Sequence, residues 1–324
     1  MDLRTPLDDA DGLLLYALPT SEHEAEQLCE KAKNAESTNR EDVLIAIPDS
    51  IGFLQEAVFE VTKLRWIQQN TPELQNDSAA RRELSVRLLE AETDITRQLK
   101  AIFDEDNDNT CRWYHKGQEK PVISDGSRNA WLSEICDDVF CETPIVRNEL
   151  INRRKISGTV TAARRELIQA MLEKGDQENL GIIGYPPGMS IYRSLLWNTG
   201  IHRKESGIWG FHRPETTDET DTLAVKRMVP VWKAIERFFD RCETTRQPIE
   251  ELYERLTTRP FGMRREPLPI LLCAAMLHYS TEVALYESGS FVPDLSMPVF
   301  ERLLKAPQQF ELKRFQMTRI RANV

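Results

Sequence analysis

ALYESGSFVP, residues 284–293, alternates apolar and polar side chains around Glu287-Ser288-Gly289-Ser290. That alternation predicts two short antiparallel strands, and the glycine supplies a positive φ that a tight hairpin turn requires. The apolar run PLPILLCAAMLHY (267–279) precedes it and PVFERLLKAP (298–307) follows it, both helical in character. A hairpin set directly behind such a helix predicts a winged helix, with the hairpin as its wing. Further out, Val225–Cys242 places Val229, Trp232, Ile235, Phe238 and Phe239 at helical spacing. ELYERLTTRP (251–260) predicts another helix, and FELKRF (310–315) a terminal strand.

A second, similar arrangement lies upstream. RNAWLSEICDDVF (128–140) predicts a helix capped by Asp125 or Ser127. TPIVRNELINRRKISGTVTAARRELIQAMLEKG (143–175) predicts two helices about a KISG turn. GIIGYPPGMSIYRSLLWNTGIH (181–202) adds a turn, a helix started by proline and a glycine stop. Helix–turn–helix with extended elements thus occurs twice, near 125–213 and near 249–315.

The front of the chain differs. GLLLYALP (12–19) and DVLIAIP (42–48) are apolar runs of strand length, and Ser21 with Glu24 forms a capping box for the helix between them. This is a β-α-β unit, whose parallel pair is stable only when both faces are covered. Two strands cannot make that sheet alone, so strands must come from elsewhere in this chain or from another. Residues 1–50 are expected either to dock on the rest of the chain or to mediate self-association or assembly with another subunit. From 51 to 104, Phe53, Val58, Val61, Leu64 and Ile67 mark one helical stripe, and Leu84, Leu88, Ile95, Leu99 and Ile102 a second. NTPELQND (70–77) breaks between them, which predicts an antiparallel helical hairpin, either a projecting arm or two helices packed within a globular domain. DEDNDN (104–109) reads as a linker.

The expected fold is therefore α+β and mainly helical. It comprises a small α/β segment (1–50), a helical arm (51–104), a first winged-helix-like module (110–215) and a second (222–324). The 324 residues are ample for such a core, and the net charge of −10 is unevenly spread. Residues 1–110 balance at −13 and the remainder at +3. No apolar run reaches the roughly 18–20 residues of a membrane span. The acidic start MDLRTPLDDADG lacks a signal-peptide pattern, so six cysteines are expected reduced, in the cytoplasm.

PIVRNELINRRKISGTVTAARRELIQAML, GIIGYPPGMSIYRSLL and RPFGMRREPLPILLCAAMLHYSTEVALYESGSFVPDL resemble the region downstream of the ATPase in large prokaryotic phage-defence P-loop ATPases, the BREX-type ATPases and their relatives. NTPELQNDSAARRELSVRLLEAE is similar to the helical arm that precedes that region. The resemblance spans roughly residues 12–315 and implies an assembly with an ATPase or another defence-system subunit. The phosphate-cradling run G-x-x-x-x-G-K-[ST] is missing, so nucleotide hydrolysis does not carry over. What is implied is a portion without ATPase activity, either a fragment or a separate partner subunit.

Cys136-x4-Cys141 with Cys111-x3-His115 could supply zinc ligands, but Cys136 sits within a helix and reads as a buried free cysteine. Asp294 with Glu311 and Lys313 matches a metal-dependent nuclease pattern by letters only, because a whole helix intervenes. His278 reads as a satisfied core residue, and His202 and His212 as flanking an exposed loop. No cofactor and no enzymatic role is expected. DNA contact has the better case: Arg147, Arg153, Arg154, Lys155, Arg164 and Arg165 straddle one helix–turn–helix, with Thr159 and Thr161 at the start of its second helix. The second module offers Arg259, Arg264 and Arg265, but its helix 267–279 is too apolar to lie in a groove. The expected function is a non-catalytic, double-stranded-DNA-contacting scaffold or accessory module of an ATP-dependent phage-defence assembly. The alternatives are a protein–protein adaptor and, third, a nuclease.

Overall fold

A computed structural model describes residues 11–34, 41–52, 54–75, 77–103, 111–121, 126–153, 157–216 and 222–315. The 104–109 linker, Phe53 and Asp125 lie outside these. The described residues form two compact units, divided between Val139 and Phe140.

In the first unit β1 (Leu13–Tyr16) and β2 (Val43–Pro48) pair in parallel across α1 (Glu22–Lys33). Ser21 caps α1 by accepting from the Glu24 N–H, while the Glu24 carboxylate reaches back to Thr20 rather than closing on Ser21. The missing strands come from within the chain. β3 (Cys111–His115) runs antiparallel to β2, and β4 (Gln118–Lys120) closes a four-stranded sheet in the order β1-β2-β3-β4. One face packs Ile47 and Tyr114 on Ala25, Cys29 and Ala32 of α1. On the other, Tyr16 meets Phe103 at 4.3 Å and Trp113 meets Trp131 at 5.8 Å. These partners belong to α3 (Ser78–Phe103) and α4 (Ser127–Val139).

One expectation is thereby corrected, and another is met in the first of its alternatives. The strand at 111–115 completes the front sheet instead of opening a winged-helix-like module at 110. Moreover, β1 and β2 dock on their own chain, with both faces covered, so an exposed apolar face no longer argues for self-association through residues 1–50.

α2 (Leu54–Asn70) and α3 form the expected antiparallel hairpin, with Arg65 reaching Glu92 at 2.8 Å. Val61, Leu64, Leu84 and Ile102 are buried, whereas Val58 and Ile67 face solvent. A two-helix contact is narrower than the stripe the spacing suggested.

The second unit carries α5 (Glu149–Asn152), α6 (Gly158–Lys174) and α7 (Pro187–Tyr192), the last continued by a π turn over Arg193–Trp197. The hairpin of β5 (His202–Glu205) and β6 (Ile208–Phe211) follows. Then come α8 (Leu223–Arg241), β7 (Gln247–Pro248), α9 (Ile249–Thr257) and α10 (Leu268–His278). β8 (Val283–Glu287), β9 (Ser290–Val292), α11 (Met297–Lys305) and β10 (Phe310–Arg314) complete it.

The hairpin expected at 284–293 is present as β8 and β9, with positive φ at Ser288 and Gly289, and Ser206–Gly207 repeats that turn between β5 and β6. The second sheet runs β7-β10-β8-β9. β10 therefore returns between β7 and β8, and β9 forms the sheet's edge.

One core spans both modules, from Val146 through Trp232 and α10 to Leu312. α10 is buried on every side, as its composition required, and packs against α6 and β6. Two separate modules at 110–215 and 222–324 are therefore corrected to a single body from Phe140, because a wholly apolar helix needs partners all round.

Candidate nucleic-acid interface

α7, not α6, stands before the β5–β6 hairpin, where a winged helix carries its groove-reading helix. Met189, Ile191, Tyr192, Leu195 and Leu196 turn inward, leaving Ser190, Arg193, Trp197 and Asn198 toward solvent. The π turn is closed by the Asn198 N–H donating to the Arg193 carbonyl at 2.9 Å. Such wide turns recur at functional sites. Asn148, buried, fixes the approach of α5: its side-chain amide donates to Ser194 Oγ at 2.9 Å and Ser190 Oγ at 3.2 Å, while its Oδ1 caps Leu150. That anchoring sets the preceding residue, Arg147, beside α7.

The result is a shallow pocket of about 330 Å³ lined by Arg147, Tyr185, Pro186, Met189, Arg193 and Asn198. Tyr185 is 87% exposed, and the Arg193 guanidinium lies 5.6 Å from its ring centroid. Ile183, two residues earlier, is 93% exposed. Among the described residues neither Arg147 nor Arg193 pairs with a carboxylate. On the hairpin, Lys204 and Ile208 are exposed, whereas Arg203 is spent on the carbonyls of Gly200 and Arg213.

Of the arginines singled out from sequence, Arg147 alone lies at this pocket. Arg164 is only 12% exposed and paired with Glu266, and Arg165 is paired with Glu301. α10 and α11 pack on α6 and bring those carboxylates, so Arg164 is held away from solvent, whereas Arg165 stays 60% exposed in its ion pair. Arg153 lies 3.6 Å from Glu149. Thr159 and Thr161 are exposed, with Thr161 Oγ1 donating to the Ser157 carbonyl. Arg154 and Lys155 lie outside the described residues. Arg265 is engaged by Glu250, and Arg259 and Arg264 have partners of their own. Sequence reasoning missed Tyr185 and Arg193. The signal was RKESGIWG, whose Ser-Gly pair marks a hairpin and would have identified the preceding helix as the presented one.

His202 is buried at the hairpin's base, not beside an exposed loop. Its ring accepts from the Tyr192 hydroxyl and donates to the Gly175 carbonyl, both at 2.9 Å, an arrangement suited to the neutral imidazole. His278 meets the Phe211 carbonyl at 2.9 Å, as a satisfied core histidine should. Cys136 and Cys141 are exposed, correcting the buried reading, because Trp131, Ile135 and Val139 hold the inward face of α4. Lys313 donates to the carbonyls of Glu243 and Thr244, just beyond α8. Among the described residues no group of three or more His, Cys, Asp or Glu is placed to hold a metal ion. No helix among them is long and apolar enough to cross a membrane.

Burial holds the His202 imidazole below the ordinary histidine range, despite the Gly175 carbonyl. The folded state thus binds fewer protons than the unfolded chain just below the unfolded-state value of about 6.5, and stability is lost as pH falls through that window. Thermal unfolding at about pH 7.5 and about pH 5.5 should show a larger drop for the natural protein than for His202→Gln. Equal drops would remove His202 as the cause.

No protein-family model, curated protein or solved structure matches this chain.

Proposed function

We propose that the unit beginning at Phe140 contacts double-stranded DNA through α7 and the β5–β6 hairpin, without catalysing a reaction. The supporting observation is the unpaired Arg147–Arg193 couple beside the exposed Tyr185 ring. Two free guanidinium groups neutralise backbone phosphates, and an exposed aromatic face adds contact with sugar or base edges. The setting we propose rests on the sequence resemblance alone: a scaffold or accessory module of an ATP-dependent phage-defence assembly, as part of a larger ATPase or as a partner subunit to one.

Fluorescence anisotropy with a labelled duplex at low salt tests this. Arg147→Glu together with Arg193→Glu should weaken binding by at least ~100-fold, and natural-protein affinity should fall steeply with salt. Arg165→Ala, whose guanidinium is ion-paired with Glu301, should leave binding nearly unchanged. Absence of duplex binding by the natural protein at low salt rejects the reading.

The adaptor reading keeps one specific support, since Ile183, two residues before Tyr185, and Ile208 on the hairpin expose apolar surface. Capture of a partner that is indifferent to salt but lost in Ile183→Asp would favour it over DNA.

A further inference from the structure

We propose that a second cleft, between α6, α9, α10 and α11, binds a small molecule through a carboxylate or phosphate group. The cleft measures about 480 Å³, within the range of ligand pockets. Arg164 enters from α6, Glu250 and Tyr253 from α9, Arg265 and Glu266 from the turn before α10, and Lys305 from the end of α11.

Its polar groups are unbalanced in one direction. Arg164 is spent on Glu266, and both Glu250 oxygens accept from Arg265, at 2.5 and 2.7 Å. Arg265 also lies 5.7 Å from the Tyr253 ring centroid. Two buried donors remain without a partner, the Arg164 Nε–H and the Tyr253 hydroxyl. Burial drives the Tyr253 phenol well above its ordinary value, so it stays protonated and able to donate. Lys305, exposed at the rim, pairs with no carboxylate among the described residues. Three cations face two carboxylates that already carry hydrogen bonds, so the cleft holds an excess of donors and of positive charge. Native interiors rarely leave such donors unpaired, and an anionic, acceptor-rich group would engage them together. This inference does not depend on DNA binding at α7, because it uses different residues.

Calorimetric titration of the full chain with inorganic phosphate, and separately with citrate, tests it. Saturable heat is expected with at least one, and the preferred probe identifies the group. Tyr253→Phe removes one hydroxyl at nearly constant volume, and Lys305→Ala alters only an exposed side chain. Each should weaken binding roughly tenfold or more while keeping the far-ultraviolet circular dichroism of the natural protein. Duplex DNA affinity should be unchanged in both. No saturable heat with either probe, or equal binding by both variants, overturns the site. Parallel loss of phosphate and duplex binding overturns the small-molecule reading, because the phosphate would then be that of the DNA backbone.

Discussion

Leu271→Ala is expected to lower unfolding stability by about 2–5 kcal/mol, as truncation of a fully enclosed leucine does. Leu271 is 0% exposed at the middle of α10, and Ile270, Leu272, Cys273, Ala274 and Ala275 around it are buried as well. Leu271→Lys should be worse still, since a charge with no partner would replace a methyl-lined contact. Denaturant unfolding followed by tryptophan fluorescence suits the measurement, because Trp232 lies in the same core. The experiment bears on function directly. A helix that reads a groove shows surface substitutions worth within about ±0.5 kcal/mol. An effect that small at Leu271 would return α10 to the surface and undo the assignment of the presented helix to α7.

Removal of residues 1–50 should unfold the rest of the front sheet while sparing the unit that starts at Phe140. β2 is the central strand: it pairs with β1 on one edge and β3 on the other. Without it, β3 and β4 are left as a lone hairpin, which is marginal at best in water. Tyr114 would lose Ile47 and the α1 surface, and Trp113 would lose Tyr16. Hydrogen exchange should therefore show amides of 111–120 becoming unprotected, with amides of α8 and α10 unchanged. Persistent protection of 111–115 in the truncated chain would mean that β3 is held by something other than this sheet.

Much of the fold was legible because local chemistry and burial agreed. The alternation at 284–293 and its Ser-Gly turn gave a hairpin, and the continuous apolar run in α10 gave a helix enclosed on all sides. Capping by Ser21 and the parallel strands at 13–16 and 43–48 followed from short-range patterns. Arg147 was identified as a basic residue near a helix–turn–helix, and it does lie at the exposed pocket.

What sequence could not supply was the partner of each element across long separations. Nothing in CRWYH states that it will pair with DVLIAIP some seventy positions earlier rather than with its neighbours. Nothing in TAARRE states that Glu266 and Glu301 will fold back to neutralise Arg164 and Arg165. An arginine is equally compatible with a phosphate and with a carboxylate, since its planar donor fork suits both. Local sequence therefore determined which residues were helical, extended or turned. Tertiary packing decided which of these arginines gained carboxylate partners: α10 and α11 bring Glu266 and Glu301 to Arg164 and Arg165 on α6, whereas Arg147 before α5 and Arg193 after α7 pair with no carboxylate among the described residues.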